Sequence, residues 1–152
     1  MKQKEISSAI IKHQNHFVLQ LRDFDKNIDF PGHWGLFGGH LEDKEDSFTA
    51  LKRELFEELE FLTTNAKLIG TIIILENITH LFLVPWCGEV SSFSQHEGID
   101  LGVITLEKVL TGHIFSPKFQ KTFPDAPGCL ACFRLYLEKR KILDHRIINP
   151  PF

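Results

Sequence analysis

The stretch GHLEDKEDSFTALKRELFEELEF, from Gly39 to Phe61, constrains this chain more than any other feature. Within it Glu54, Glu57 and Glu58 stand at positions i, i+3 and i+4, so their carboxylates share one face of a predicted helix. Like charges at this spacing destabilise an isolated helix by about 0.2–0.5 kcal/mol per pair. A divalent cation reverses that cost, because oxygen ligands are what Mg²⁺ and Mn²⁺ prefer. The acidic face therefore predicts a metal site.

The spacing resembles the signature of the Nudix (MutT-like) hydrolases, G-x5-E-x7-R-E-U-x-E-E-x-G-U, where U is a bulky aliphatic or apolar residue. We call residues 39–61 the Nudix box. All signature positions agree except Glu60, which stands where the family has glycine. The elements before and after the box also fit the family layout, so the resemblance covers most of the chain. The matching positions are Gly39, Glu45, Arg53, Glu54, Leu55, Glu57, Glu58 and Phe61.

The resemblance implies both a fold and a reaction. The fold is α/β (α+β), a Nudix-type α/β/α sandwich around a mixed β-sheet, in a single domain over residues 1–152. The reaction is Mg²⁺-dependent hydrolysis of the diphosphate linkage of a nucleoside diphosphate joined to a group X, with Mn²⁺ as a substitute. Nucleoside triphosphates and oxidised deoxynucleotides fall within this class. Such chemistry asks the protein mainly for positioning, charge neutralisation and a metal-activated water.

The same resemblance assigns the metal ligands. Glu54, Glu57 and Glu58 would bind the cation, and the carbonyl of Gly38 would be a fourth ligand. A solvated acidic helix face is the simpler explanation for a glutamate run that stands alone. Here Arg53, Glu45 and the Gly38-Gly39 pair accompany the run at the family's distances, which favours the metal site.

The residues around the ligands are predicted to position them. Arg53 would orient Glu54 or nearby acids through charge-assisted hydrogen bonds, and Glu45 would hold the loop and helix together. As an isolated pair, these two would be an ordinary surface salt bridge. Gly38 and Gly39 would let the backbone approach metal and phosphate closely, and a plain tight turn is compatible with the same pair.

The general base and the substrate contacts stay open between alternatives. The base is either Glu54 or a downstream acid, for which Glu97 is the best candidate; an exposed loop acid explains Glu97 equally well. Arg22 is a candidate for the substrate's phosphates or a solvent-facing arginine. Trp34 is the leading aromatic candidate for stacking on a nucleobase, although aromatic residues more often lie in the core.

Two other classes of function compete with the hydrolase. One is a catalytically silent Nudix-like module that binds or senses a nucleotide, although such modules often lose box glutamates that this chain retains. The other is a Nudix-fold isomerase acting on an isoprenoid diphosphate, which needs an additional acid such as Cys87. All four box glutamates remain, which favours hydrolysis over the silent module, and for the isomerase only Cys87 is a candidate for the additional acid.

The composition limits the partners and the compartment. A formal net charge of −3 offers no basic field for a nucleic-acid polymer, and the apolar runs are too short for a membrane span. We expect a small nucleotide substrate, and nothing in the chain decides whether it forms a homodimer. Cys129 and Cys132 form a CxxC motif inside a helical pattern, where we expect buried free thiols rather than a zinc or redox site. A reducing cytoplasm is the simplest setting.

Periodicity and turn residues predict the remaining elements. Asp46 or Ser47 would cap the box helix, and Glu76-Asn77 would form a reverse turn. At Glu60, a positive φ would cost about 1 kcal/mol or more, or else the chain would leave the helix differently from the family. The last residues, HRIINPPF, would be irregular. Strands are predicted over 6–12, 16–22, 33–37, 67–75, 79–86 and 100–105, and helices over 106–110 and from 127 to about 142.

Overall fold

A computed structural model describes residues 3–148 of the chain, with side chains described through residue 140. Within this range the chain forms nine strands, three α-helices and one short 3₁₀ helix at Val90–Ser92. The strands are β1 (Glu5–His13), β2 (His16–Leu21), β3 (Trp34–Gly35), β4 (Phe37–His40), β5 (Lys67–Ile74), β6 (Asn77–Pro85), β7 (Asp100–Thr105), β8 (His113–Ser116) and β9 (Lys121–Pro124). The helices are α1 (Ser47–Leu59), α2 (Leu106–Leu110) and α3 (Pro127–Ile148).

Seven of these strands form one mixed sheet with β1 near its centre. Strand β1 runs parallel to β6, and β5 pairs antiparallel with the far side of β6. On its other side, β1 pairs with β2 only over residues 11–13 and with β4 over residues 6–9. The segment from β3 to β4 therefore fills a gap where β1 and β2 diverge. Strand β7 pairs with the full length of β2.

Helices cover both faces of this sheet, because alternate residues of each strand point to opposite sides. Ile10 packs in a cluster with Cys132 and Phe133 of α3. Its neighbours Ala9 and Ile11 pack with the apolar stripe of α1 instead. The predicted α/β/α sandwich around a mixed sheet is confirmed.

Helix α1 owes its position to a cap and an apolar stripe. The Asp46 carboxylate accepts a hydrogen bond from the Thr49 amide at 2.7 Å, which satisfies one of the unpaired donors of the first turn. Leu51, Leu55 and Leu59 are fully buried, and burial of each such side chain contributes about 1.5–3 kcal/mol. The cap predicted at Asp46 is thus confirmed, and the three leucines pack against the sheet.

At the end of α1, Glu60 could either adopt a strained positive φ or direct the chain away from the helix differently from the family. The residue takes the left-handed conformation, with φ 52° and ψ 33°, and its amide donates to the carbonyls of Leu55 and Phe56. The amide of Phe61 also donates to the Leu55 carbonyl, at 3.2 Å. Glu60 therefore ends the helix as a glycine would. The expectation that the chain leaves the helix differently is wrong.

Several predicted boundaries need correction. Gly38 and Gly39 lie within β4, paired with β1, and do not form a turn. The reverse turn between β5 and β6 is centred on Leu75 and Glu76, both with positive φ, so that Asn77 already belongs to β6. Cross-strand pairing in the sheet overrides the turn preference of Asn77.

The end of the chain differs most from prediction. The β8–β9 hairpin was not predicted, because its two short strands lack a clear alternation of apolar and polar residues. Helix α3 continues to Ile148, beyond the predicted end near residue 142. The prediction of an irregular tail is therefore wrong for residues 145–148, and residues 149–152 lie outside the described range. No helix within that range combines the length and apolarity needed to cross a bilayer.

Candidate active site

Arg53 connects the loop before α1 to the acidic face of the helix. Its Nε donates to Glu45 Oε2 at 2.8 Å and its Nη2 donates to Glu45 Oε1 at 2.9 Å, a two-point contact. Nη1 donates to Glu54 Oε1 at 2.9 Å, and Nη2 also donates to the carbonyl of His40 at 3.1 Å. The predicted neighbours Arg53, Glu45 and Glu54 are thus brought together, which limits the directions that the Glu54 carboxylate can take.

The same contacts set the charge of Glu45. The hydrogen bonds from Arg53, together with one from the Glu42 amide, lower the pKa of the Glu45 carboxyl to about 2. The carboxylates of Glu45 and Glu54 in turn raise the pKa of Arg53. Both partners are therefore ionised at any pH at which the fold is expected to be stable, and the contact persists as a charged pair.

Glu58 is the most unusual residue in the site, because it is a glutamate that is almost completely buried, at 3% exposure. The Gly38 amide donates to its two oxygens at 3.3 and 3.4 Å. Burial, followed by repulsion from Glu97 and from Glu54, raises the pKa of Glu58 to about 10. Two carboxyl groups four residues apart on α1 thus meet a third from a distant loop, which is electrostatically unfavourable unless a proton or a cation intervenes.

The paired glycines make room for this meeting. A Cβ atom added at Gly38, where φ is 143°, would overlap the carbonyl oxygen of Ser7 in β1. A Cβ atom at Gly39 would lie 2.5 Å from the Glu54 carboxylate. The backbone of β4 can therefore approach both the central strand and the acidic face of α1 only because these residues lack side chains.

Glu97 approaches this cluster from the loop before β7. The carboxyl group hydrogen-bonds to Glu58, and the residue lines the main cavity. Gln95 supports the turn, since its side-chain amide donates to the carbonyls of Glu97 at 2.9 Å and Asp100 at 3.1 Å. The structure thus places the downstream acid beside the box, where either candidate for the general base is adjacent to Glu58.

Glu57 stands apart from the other box glutamates. Its side chain is 56% exposed, and its Oε2 lies 3.3 Å from Arg53 Nη1, the nitrogen that also contacts Glu54. Among the described residues, no group of three or more His, Cys, Asp or Glu side chains forms a ready-made cation site. Glu54 and Glu57 thus both contact Arg53, whereas Glu58 contacts Glu54. Glu57 does not lie in the cluster formed by Glu54 and Glu58.

A cavity of about 580 Å³ adjoins the cluster, within the range of volumes that accept small ligands. Arg22 lies on its lining, with Nε donating to the Asp29 carbonyl at 2.7 Å. Two kinds of residue line the space. The polar ones include Arg22, His40, Glu42, Glu54, Thr79 and Glu97, and the apolar ones include Ile6, Phe30, Ile74, Ala126, Cys129 and Cys132.

Trp34 lies in the core, the alternative that the sequence left open, and is not among the residues that line the cavity. Its ring is fully buried in the cluster that packs against α3, and its Nε1 donates to the Ile114 carbonyl at 3.0 Å. The reason is the strand alternation of β3, which directs this side chain into the core. Phe30 is the aromatic residue that lines the cavity, and its φ of 49° is unusual for a residue with a bulky side chain.

The cysteines agree with the sequence analysis. Cys129 and Cys132 are free and buried, as predicted, and Cys87 is free and exposed. Burial raises the pKa of the Cys132 thiol to about 12 and raises that of Cys129 strongly as well. Their position on the cavity lining was missed, because it depends on where the first turn of α3 meets the sheet.

Comparison with known proteins gives the family of the chain. Residues 1–123 match the family model for the NUDIX domain. A nucleoside triphosphatase NudI of Klebsiella pneumoniae is 39% identical over 59 residues, which are 39% of this chain and 41% of that protein. The NudI of Escherichia fergusonii is 34% identical over 86 residues, 57% of this chain and 50% of that protein. The matches thus span about half or less of each relative's length.

Solved structures show the same fold. A MutT NUDIX hydrolase from Burkholderia pseudomallei superimposes with a TM-score of 0.69 at 19% identity, covering 89% of this chain and 98% of that one. The E. coli ORF135 protein superimposes with a TM-score of 0.65 at 24% identity, covering 100% and 96%. With the domain match over most of its length, the chain belongs to the Nudix (MutT-like) hydrolase family.

Proposed function

We propose that this protein is a Mg²⁺-dependent hydrolase that cleaves the phosphoanhydride of a nucleoside diphosphate linked to a group X. The observation that carries the proposal is the convergence of Glu54, Glu58 and Glu97 beside the glycines of β4. Without a counter-charge the three carboxylates repel one another, and this repulsion contributes to the raised pKa of Glu58. Nudix hydrolases generally use a divalent metal, and a bound cation would neutralise this repulsion.

The residues present fit a hard cation in their chemistry. Carboxylate oxygens of Glu54, Glu57 and Glu58, with the carbonyl oxygen of Gly38, are ligands that suit Mg²⁺, and Mn²⁺ would substitute. When bound, the metal supplies charge neutralisation and a water of lowered pKa. Glu57 would join this set by giving up its contact with Arg53, which is long at 3.3 Å and exposed.

The remaining residues of the site would position the reacting groups. Arg53 holds Glu54 in place from one side, while Glu45 anchors Arg53 to the loop. Either Glu54 or Glu97 would accept the proton of the attacking water, since both line the cavity.

The cavity supports a substrate with one anionic part and one apolar part. Arg22 would contact phosphate oxygens, because it lies on the lining and a guanidinium presents several N–H donors to an anion. Phe30, Ile74 and the two cysteines of α3 would surround an aromatic base. The NudI relatives are nucleoside triphosphatases, which directs the proposal towards nucleoside triphosphates, including oxidised deoxynucleotides. No polymer, membrane or protein partner is required, and three free cysteines are compatible with a reducing cytoplasm.

A substrate panel tests the proposal. Purified protein is incubated with Mg²⁺ or Mn²⁺ and the common nucleoside triphosphates, oxidised deoxynucleotides, nucleotide sugars and dinucleoside polyphosphates. We expect one group to be hydrolysed with release of a nucleotide product, and no turnover in the presence of a chelator. Tight nucleotide binding without any product would instead identify a binding or regulatory module.

A further inference from the structure

Glu60 occupies a position where the local chemistry disfavours it twice. Its left-handed backbone, with φ 52°, is strained for any residue that carries a side chain. Its negative charge also lies at the carboxyl end of α1, where the helix dipole favours cations and the last turn holds no basic residue. Glycine, the residue of the family signature at this position, would avoid both effects. A compensating gain must therefore come from outside the helix.

The contacts of the Glu60 side chain supply that gain. Its carboxylate accepts a hydrogen bond from the Ser94 hydroxyl, and its Oε2 lies 3.3 Å from His96 Nε2. Both partners belong to the loop that follows the short 3₁₀ helix. The Glu60 and His96 side chains are about half exposed, so their attraction is modest. Its effect is to restrict how the loop can move rather than to add much stability.

Backbone hydrogen bonds bring the same loop to the same helix end. The Ser94 amide donates to the Leu59 carbonyl at 2.9 Å, and the His96 amide donates to the Glu58 carbonyl at 2.7 Å. The next residue, Glu97, lines the cavity and contacts the Glu58 carboxyl. The loop therefore carries an acidic group into the site through a connection one residue long.

We propose that Glu60 is a positioning residue, which holds residues 94–97 against the end of α1 so that Glu97 stays beside Glu58. Glutamate in place of the signature glycine would then strain the end of α1, and its contacts with Ser94 and His96 would compensate by restricting the loop. This inference rests on the proposed function in one respect only, the assignment of Glu97 to the reaction site.

The main test replaces Glu60 by the residue that the backbone prefers. In Glu60→Gly we expect the thermal midpoint to stay equal or rise, because the strain at φ 52° is relieved. We expect kcat to fall about three- to tenfold with KM within about twofold, because small misplacement of a reacting group costs rate rather than binding. A merely structural role would move stability and activity in the same direction.

Gln14→Gly provides a matched control. Gln14 has a similar φ of 54° and lies in the turn between β1 and β2, away from the cavity lining. This variant relieves the same kind of backbone strain and should leave kcat unaltered. His96→Gln should reproduce part of the loss in kcat, and Glu60→Gly combined with it should lose no more than Glu60→Gly alone, as expected for residues acting through one contact.

Hydrogen exchange separates failure of this inference from failure of the proposed function. If the wild-type protein hydrolyses no nucleotide, the proposed function fails, while exchange still tests the loop. We expect the His96 amide to exchange at least about threefold faster in Glu60→Gly than in wild type, with no change in Gln14→Gly. Unchanged exchange, or wild-type kcat in an active enzyme, would overturn the inference, and so would a fall in kcat that parallels a fall in stability.

Discussion

The guanidinium of Arg53 contacts the Glu45 carboxylate through two hydrogen bonds, of 2.8 and 2.9 Å, across the junction between the box loop and α1. The Glu45 side chain is only 9% exposed. The contact is therefore better shielded from solvent than an ordinary surface pair, and it leaves Nη1 of the arginine free to orient Glu54.

Arg53→Lys should separate charge from geometry. Lysine keeps the positive charge but cannot make the two-point contact with Glu45 while also reaching Glu54. We expect kcat to fall by about 10- to 100-fold and the free energy of unfolding to fall by about 1–2 kcal/mol. Steady-state kinetics and urea unfolding measure the two effects. Lys52→Arg, on the exposed adjacent position of α1, is the control and should change neither; wild-type kcat in Arg53→Lys would contradict the orienting role.

Glu58→Gln should remove activity while strengthening the metal-free fold. Glutamine keeps an acceptor for the Gly38 amide and removes a buried ionisable group from its acidic neighbours. At neutral pH we expect loss of turnover and a free energy of unfolding higher by about 1–3 kcal/mol. Addition of Mg²⁺ should raise the melting temperature of the wild type and not that of the variant.

Glu57→Gln supplies the companion measurement. Because Glu57 is exposed, this change should leave metal-free stability within about 0.5 kcal/mol, while turnover is lost. Folding of both variants is checked by circular dichroism. Near-normal hydrolysis by both purified proteins would show that the metal ligands have been wrongly assigned.

Gly39→Ala should damage the site through a single methyl group. The added Cβ would lie 2.5 Å from the Glu54 carboxylate, which Arg53 holds in place. We expect a destabilisation of about 1–3 kcal/mol and a fall in kcat larger than that of any change outside the cavity. Gly70→Ala is the matched control, because its nearest neighbour would be a flexible Leu135 methyl at an ordinary 3.4 Å. Equal kinetics for the two variants would exclude the proposed crowding.

Asp125 should make stability depend on pH. Its two carboxylate oxygens are buried without a hydrogen-bond partner among the described residues, and burial raises the pKa of Asp125 to about 7, an effect that His113 opposes. Between pH of about 4 and 7 the folded state keeps a proton that the unfolded chain releases. Stability therefore falls as pH rises through this window, by up to about 1.4 kcal/mol per unit.

The variant Asp125→Asn separates the contribution of Asp125 to the pH dependence of stability from that of the other acidic residues. Urea unfolding of the variant and the wild type is compared at several pH values across the window. The difference in unfolding free energy should grow in favour of the variant as pH rises to about 7 and then remain constant. A difference independent of pH would mean that Asp125 ionises normally in the folded protein.

Features that depend on local spacing could be predicted from the sequence. The direction in which a strand residue points, towards the core or the cavity, could not. The stripe of Leu51, Leu55 and Leu59 follows from helical periodicity, and the contact of Arg53 with Glu45 follows from the box signature. For Trp34 the choice between core and substrate stayed open, because a two-residue strand gives too short a pattern to show which side faces the core. Its neighbours across the sheet, far away in the chain, determine that direction.

The meeting of Glu97 with Glu58 shows a similar limit. The two residues are distant in sequence, and only the pairing of β7 with β2 and the loop contacts with α1 bring them together. The β8–β9 hairpin and the cavity lining by Cys129 and Cys132 have the same origin in long-range packing. Glu60 was recognised as a departure, but only the structure shows the side chains that compensate it.

The insertion of β3 and β4 between the diverging ends of β1 and β2 has a consequence for motion. Gly38 and Gly39 belong to the hydrogen-bonded centre of the sheet rather than to a surface loop. One side of the site therefore cannot open without disrupting the strands that hold the domain together, so its opening free energy should approach that of global unfolding. The opposite side, which carries Glu97, is a loop. Movements that adapt the site to different substrates should accordingly occur in the loop that carries Glu97, while β4 keeps its position.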